Sequence, residues 1–505
     1  MSGMWSVLDN PQRQQKDIVI LSVPFVDSPA PVAAPAVLKS VVEKHGFSCL
    51  AVDCNSPVYQ KVNQHKHGVD MIDFYLHGNV AESVGSEIFD DLDRLTDQIL
   101  SWNPTWVGLS LLSSETQNAA KWILYLLKKK QPGIKTLLGG SGSGTSANIL
   151  GSFVPTMFSQ GLLDFHIDGD GELALIEALK SNTDFPGING QPKRYLTDEE
   201  IDQLPFADYS DYNLEHWADP KINITASRGC VRQCKFCDYI EAHKKFQWRR
   251  ADRVFAEMLS QINRYGITKF AFADSLVNGN VKEFNRLITL LAEHNENNPT
   301  QPIRWSGFYI LRNRSANDEW LWDTLKKSGA VRLAVGVESF SQKIRYELGK
   351  KFDDDAIIHH FRLAQKHGIG IIALLLVGYP TETPEDIKIC IEWIKNNSNL
   401  GDTVGLSFAS MAIIPGTQLD RDKFRFGVIM QEDTRELNRS REWVTDQFQH
   451  VNNWQTRQQW LKTYYQTAVE NGFRTDIDYS TFQQRYLTDI DRAPKDPRSI
   501  LEQSL

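Results

Sequence analysis

Cysteine is scarce, with six among 505 residues, too few to staple a chain of this size with disulfides. There is no run of about 18 apolar residues, which excludes an ordinary membrane-spanning helix. A charged-then-apolar leader is also missing at the amino end, so the expected location is cytoplasmic. Nor does one sign of charge dominate. Lys and Arg number 55 against 63 Asp and Glu, for a net charge of -8, and nucleic-acid binding is therefore not indicated. Core-forming residues are plentiful, at 41% hydrophobic with 23% charged, the balance of a globular protein long enough for two large units and a smaller appendage.

From Asp17 to about residue 180, short apolar runs alternate with helical patterns: DIVILSVP, a helix over 34–45, SCLAVD, VGLSLL, a helix over 118–130, IKTLLGG and LDFHIDG. That order predicts a parallel, doubly wound α/β domain. Residues 182–220 are rich in Pro, Gly, Asp and Asn and read as an extended linker. Six further strand–helix repeats run from ITAS through KFAFAD, IRWSGFYI, VRLAVGVE and IIALLLVG to VGLSFASM, which predicts a partial or full (β/α) barrel. Thr383-Pro384-Glu385-Asp386 marks a helix start by its cap, its proline and its acids. The expected domains are thus 1–181, a linker at 182–220, 221–430, and a helical cover at 431–505.

Half of the cysteines fall within eight positions, as C-x3-C-x2-C in SRGCVRQCKFCDY. Cys230, Cys234 and Cys237 supply three thiolates on a loop after a strand. Three ligands satisfy three irons of a cubane cluster and leave the fourth iron open for chemistry, whereas electron-carrying clusters take four cysteines. The competing reading is structural zinc with His243 as fourth ligand, but the spacing fits no common zinc module. Cys49, Cys54 and Cys390 read as core. The basic run from His243 to Arg250 reads either as a solvated helix start or as a contact for an anionic substrate, with Arg249 or Arg250 as the participant.

With Phe236 just before its last cysteine, this motif resembles the radical S-adenosylmethionine (SAM) superfamily. The resemblance implies a [4Fe-4S] cluster on Cys230, Cys234 and Cys237, SAM chelated at the open iron, and an electron donor such as flavodoxin or ferredoxin to drive formation of a 5′-deoxyadenosyl radical. It implies SAM contacts from Phe236, from Asp274 in FAFADS, from Arg312 in YILRNR, from Glu338 and Ser339 in GVES, and from Gly378 and Glu382 in GYPTET. IIPGTQL resembles a further segment of the same family. Cys230, Asp274, Arg312, Glu338 and Gly378 fall at or just past the expected strand ends, where barrel enzymes place their functional groups.

The first domain is similar to the cobalamin-binding domain of one branch of that superfamily, through PTWVGLSLLSSETQ, IKTLLGGSGSGT, DFHIDGDGELALIEAL and DQLPFADY. The resemblance makes Ser113, Ser114, Gly139, Gly140, Ser141, Gly169, Gly171 and Glu172 candidates to line a cobalamin groove. The D-x-H-x-x-G segment that supplies a lower histidine ligand is absent from VPFVDSPAPVAAP. Either cobalamin binds without a protein histidine, or the domain is a Rossmann-like scaffold. The tRNA methylthiotransferases also place an α/β domain first, but with three cysteines there; this chain has two. The implied activity is cobalamin-dependent methyl transfer to an unactivated carbon or phosphorus centre of an unknown substrate. Its alternatives are a cobalamin-independent rearrangement, cyclisation or oxidation, and a non-catalytic iron–sulfur or zinc interaction protein.

Overall fold

The computed structural model describes residues 14–26, 30–78, 80–143, 153–214, 219–313, 318–430, 443–448 and 450–475. Its contacts divide the chain into two units, one of residues 1–228 and 242–273, the other of residues 229–241 and 274–505.

In the first unit the chain runs β1 (Ile18–Ser22), α1 (Ala34–Lys44), β2 (Cys49–Asp53), α2 (Asn55–Gln64), α3 (Gly68–His77), α4 (Gly85–Leu100), β3 (Trp106–Ser110), α5 (Gln117–Lys130), β4 (Lys135–Gly139), α6 (Phe153–Ser159), β5 (Phe165–His166) and α7 (Gly171–Leu179). The five strands pair in parallel in the order β2-β1-β3-β4-β5. Strand alternation sends Val19 and Leu21 into one core with Leu92, Leu95, Ile123 and Leu124 of α4 and α5. Ile18 and Ile20 go into another with Val41, Val42, Leu175 and Ile176 of α1 and α7. Helices therefore cover both faces, as an all-apolar parallel strand requires. The order reverses between β1 and β3, and a doubly wound sheet opens its ligand crevice at the carboxyl ends flanking that switch.

The linker is not wholly extended. It contains α8 (Asp198–Asp202), started by a reciprocal capping box between Thr197 and Glu200. There follow β6 (Ile222–Ile224), β7 (Ser227–Arg228), α9 (Tyr239–Ala242), β8 (Gln247–Trp248), α10 (Ala251–Tyr265) and β9 (Lys269–Phe272). Within the first unit β6 and β9 are parallel neighbours, and β7 and β8 pair antiparallel. Gly266 ends α10 in the left-handed conformation.

The second unit continues with α11 (Val281–Asn297), β10 (Arg304–Tyr309), α12 (Glu319–Lys327), β11 (Ala330–Glu338), α13 (Gln342–Glu347), α14 (Asp354–His367), β12 (Gly370–Val377), α15 (Pro384–Asn396), β13 (Val404–Ser410), α16 (Gln418–Asp422), β14 (Ile429–Met430), β15 (Trp443–Val444), α17 (Trp454–Glu470) and β16 (Arg474–Thr475). Strands β10 to β13 are parallel and sequential, and β16 adds to the free side of β13. All six expected barrel strands, β6 and β9 to β13, are present and each but the last is followed by a helix that leads to the next strand. The start of α15 has Thr383 accepting from the Asp386 N–H, with Pro384 in the first turn. Among the described residues no helix is long and apolar enough to cross a membrane.

Candidate cofactor site

The cysteine loop follows β7. Gly229 takes the left-handed conformation (φ 77°), and its N–H donates to Tyr239 Oη at 3.4 Å. The Cys237 N–H donates to the Cys234 carbonyl at 3.1 Å, and the Arg232 N–H donates to Cys230 Sγ at 3.4 Å. At mid-loop the Lys235 N–H donates to the Leu348 carbonyl at 3.2 Å, while its carbonyl accepts from Leu419 at 2.8 Å. Phe236 packs on the apolar cluster of Ile344, Leu348, Tyr379 and Leu419, so its ring anchors the loop.

Cys234 is buried, and Cys230 and Cys237 are half-buried. Burial pushes all three thiols up, Cys237 to about 12, while the Lys350 ammonium pulls Cys230 and Cys234 back. Among the described residues no three His, Cys, Asp or Glu side chains gather closely enough to grip one ion. Three cysteine thiols on one loop, one buried and two half-buried, supply a donor set that fits a cubane cluster having one open iron.

Beside the loop, Glu338 ends β11 with φ 65°, a conformation few non-glycine residues adopt, at a register shift against β12. It is 6% exposed, and its carboxylate meets Lys350 Nζ at 3.0 Å. A Cβ on Gly336 would strike both partners, so glycine there makes room for the pair. Burial alone would lower the Lys350 pKa, but Glu338 and Cys234 hold the ammonium above its ordinary value. Gly349 (φ 97°) lets the turn before Lys350 approach the backbone of Gln233 and Cys234. Lys350 looks in sequence like one of a surface pair, and only its place in space identifies it.

Asp274 is buried just past β9. Arg312 donates to the carbonyls of Asn278 at 3.0 Å and Gly279 at 3.4 Å. Asn278, which sequence reasoning passed over, clamps the same region by donating to the Ile310 carbonyl and accepting from the Ile310 N–H, both at 2.9 Å. Ser339 is buried, its hydroxyl accepting from the Ser341 N–H and lying 3.5 Å from Cys390 Sγ. The Gly378 N–H donates to Glu382 Oε2 at 2.5 Å. Glu382 is fully buried, and burial raises its pKa to about 8. The structure thus brings Glu338 and Lys350 to the cysteine loop, whereas Ser339, Gly378 and Glu382 brace the strand ends from behind.

In the first unit the groove candidates follow β3 (Ser113, Ser114), end or follow β4 (Gly139, Gly140, Ser141) and follow β5 (Gly169, Gly171, Glu172). Backbone packing accounts for two of the glycines. A Cβ on Gly140 would strike the Leu111 carbonyl, and one on Gly169 the Arg194 carbonyl. Ser141 Oγ donates to the Leu112 carbonyl at 2.5 Å. Gly139 and Gly171 have only ordinary neighbours, and Ser113 and Ser114 are half-buried. Glu172 is buried against Arg228, which also donates to Asp170 at 3.0 Å. Although burial alone would raise its pKa, Arg228 holds the Glu172 carboxyl below the ordinary range. Asn55, another residue missed in sequence, fastens the loop after β1 by accepting from Val26 N–H at 2.7 Å and donating to its carbonyl at 2.9 Å. In the basic run, Arg249 pairs with Glu257 at 2.7 Å and Arg250 with Asp202 at 2.6 Å, so both are engaged in holding α10 in place.

The model of the radical SAM superfamily matches residues 224–394. An uncharacterized methyltransferase of Pyrococcus horikoshii is 24% identical over 381 residues, 70% of this chain and 74% of that protein. Cytidylyl-2-hydroxyethylphosphonate methyltransferase of Streptomyces wedmorensis is 22% identical over 451 residues, 79% of this chain and 78% of the relative. Among solved structures, the radical SAM methyltransferase TsrM from Kitasatospora setae, with cobalamin and a [4Fe-4S] cluster bound, has a TM-score of 0.65 at 15% identity, over 93% of this chain and 90% of its own. The cobalamin-dependent radical enzyme OxsB, with aqua-cobalamin and SAM bound, has a TM-score of 0.61 at 16% identity, over 85% of this chain and 63% of its own. At these identities the structural likeness is one of fold: a Rossmann-like domain followed by a radical SAM barrel.

Proposed function

From the radical SAM domain that residues 224–394 form, we propose that the chain is a cobalamin-dependent radical SAM methyltransferase. The observation that carries the reading is the likeness in fold along 93% of the chain, first domain included, to a protein solved with both cobalamin and a cluster. Cys230, Cys234 and Cys237 hold the cluster, which leaves one iron to chelate SAM. When bound, the cluster supplies the electron that cleaves SAM, and cobalamin supplies the methyl group.

The chain's own residues orient and insulate. Lys235 and Phe236 fix the loop, Lys350 offers a buried cation to an anionic group beside Cys234, and Glu338 holds that cation in place. Asp274 and Arg312 complete the SAM-binding edge, with Ser339, Gly378 and Glu382 bracing it. Residues 1–181 house the corrin against the loops after β3, β4 and β5, with residues 182–220 as linker, 221–430 as barrel and 431–505 as cover. An external reductant of the flavodoxin or ferredoxin class drives the reaction in the cytoplasm, where thiols stay reduced. Anaerobic reconstitution with iron, sulfide and hydroxocobalamin tests the reading. Cluster absorption together with bound corrin supports it; an intact cluster with no corrin favours a SAM-only rearrangement, cyclisation or oxidation.

A further inference from the structure

We propose that α16 and the turn that follows it form the docking surface for the reductant, and that the partner this surface fits is a small acidic electron-transfer protein. The inference rests on the radical SAM reading above, which calls for an external one-electron donor, and gives that donor its place on the second unit.

Helix α16 runs directly into a single tight helical turn, Lys423–Phe426, which Gly427 closes in the left-handed conformation. Two contacts lay this segment against the cysteine loop. The Leu419 N–H donates to the carbonyl of Lys235, the neighbour of Cys234, at 2.8 Å, and Arg421 donates to Glu241 of α9, just beyond Cys237, at 2.9 Å. Leu419 is fully buried in the apolar cluster against which Phe236 packs, so the inner side of the segment is fixed to the loop. From Leu419 to Phe424 the helical rise covers only about 10 Å. The far end of the segment therefore stays close to the thiols.

The outer side has a different composition. Phe424 is 70% exposed, more than any other large apolar side chain among the described residues. Around it Arg421 pairs with Glu241, Lys423 with Asp420 and Arg425 with Asp422. The three cationic side chains are 57%, 39% and 66% exposed and their acidic partners 26%, 21% and 19%, so each pair turns its positive end to solvent. Exposed pairs of this kind add little to stability, and an aromatic ring held in water adds none. Recognition accounts for the arrangement: an exposed ring among outward cations supplies both an anchor and electrostatic steering for a partner of negative surface. Redox encounters use small interfaces, below about 1,200 Å² in total, which suits a segment of this size. The step served here passes one electron from the reduced partner to the oxidised cluster. No bond is made or broken, and no proton moves.

Stopped-flow absorption follows reduction of the reconstituted cluster by an acidic flavodoxin in its hydroquinone form and, separately, by photoreduced deazaflavin, a small reductant that needs no docking surface. Lys423→Glu combined with Arg425→Glu leaves both contacts to the cysteine loop in place. It should slow reduction by flavodoxin at least about tenfold at low salt, and the difference should shrink as ionic strength rises. Phe424→Ser should weaken binding of isotope-labelled flavodoxin, read by NMR titration, about fivefold. Deazaflavin should reduce both variants at the parent rate, with the parent's iron content. SAM cleavage driven by deazaflavin, and the corrin content, report separately on the functional reading. Parent rates and affinity with flavodoxin in both variants, equal slowing with deazaflavin, or a parent chain that flavodoxin neither binds nor reduces overturns the proposal.

Discussion

Lys350 and Glu338 show what one residue can contribute at a buried edge. The two side chains are 16% and 8% exposed, so removing either leaves the other charge without its partner in a poorly hydrated place, a larger loss than the net worth of the pair. On the proposed function, Lys350→Ala and Glu338→Ala should each weaken SAM binding about tenfold or more while the cluster absorption stays, as measured by equilibrium binding to the reconstituted protein. Loss of the cluster with unchanged SAM affinity would place the pair outside that site. Glu382 carries a pH signature. Burial raises its pKa from 4.5 to about 8, so the neutral form suits the fold and the ionised form does not. Its contribution is fully present below about pH 4.5 and is lost as pH rises through about 8, on the order of a few kcal/mol at most. Glu382→Gln should flatten that fall when melting temperature is followed from about pH 5 to about pH 9; an unchanged slope contradicts the assignment.

At the scale of elements, α17 and the residues just before it fasten the turn after β12. Arg457 is fully buried. It donates to Asn452 Oδ1 and to the Trp443 carbonyl, both at 3.0 Å, and lies 3.9 Å over the Trp443 ring. Its aliphatic stem fills the space a Cβ on Gly378 would need, and Asn452 donates to the Tyr379 carbonyl at 3.0 Å. Arg457→Ala opens a cavity and strips donors from buried carbonyls, at a cost on the order of 2–4 kcal/mol. A denaturation midpoint within experimental error of the parent would refute the clamp. The barrel strands were legible because apolar runs at regular spacing, each followed by an amphipathic helix, have few other solutions. Helices α2 to α4, between Asn55 and Leu100, escaped because no strand punctuates them. The clamp escaped because no local pattern joins Arg457 to Gly378 across that distance in sequence. The same limit hid Lys350, Asn278 and Asn55, whose roles exist only in contacts. Gly140 and Gly169 show the converse: a glycine that suggested ligand approach is required by a neighbouring backbone.

For the whole molecule, the claim is that two cofactor modules in one chain serve one transfer. Clustered thiols betray the first module in sequence, since no other three cysteines lie close together. The second was legible as a fold but not as a site, because a doubly wound sheet places its crevice by strand order and not by any invariant ligand. The most direct measurement is a count of iron and corrin in protein expressed anaerobically with cobalamin, for the parent chain and for Cys234→Ala. The account predicts about four irons and one corrin per parent chain, with iron and SAM cleavage lost in the variant. A parent chain with its cluster intact and no corrin would contradict it.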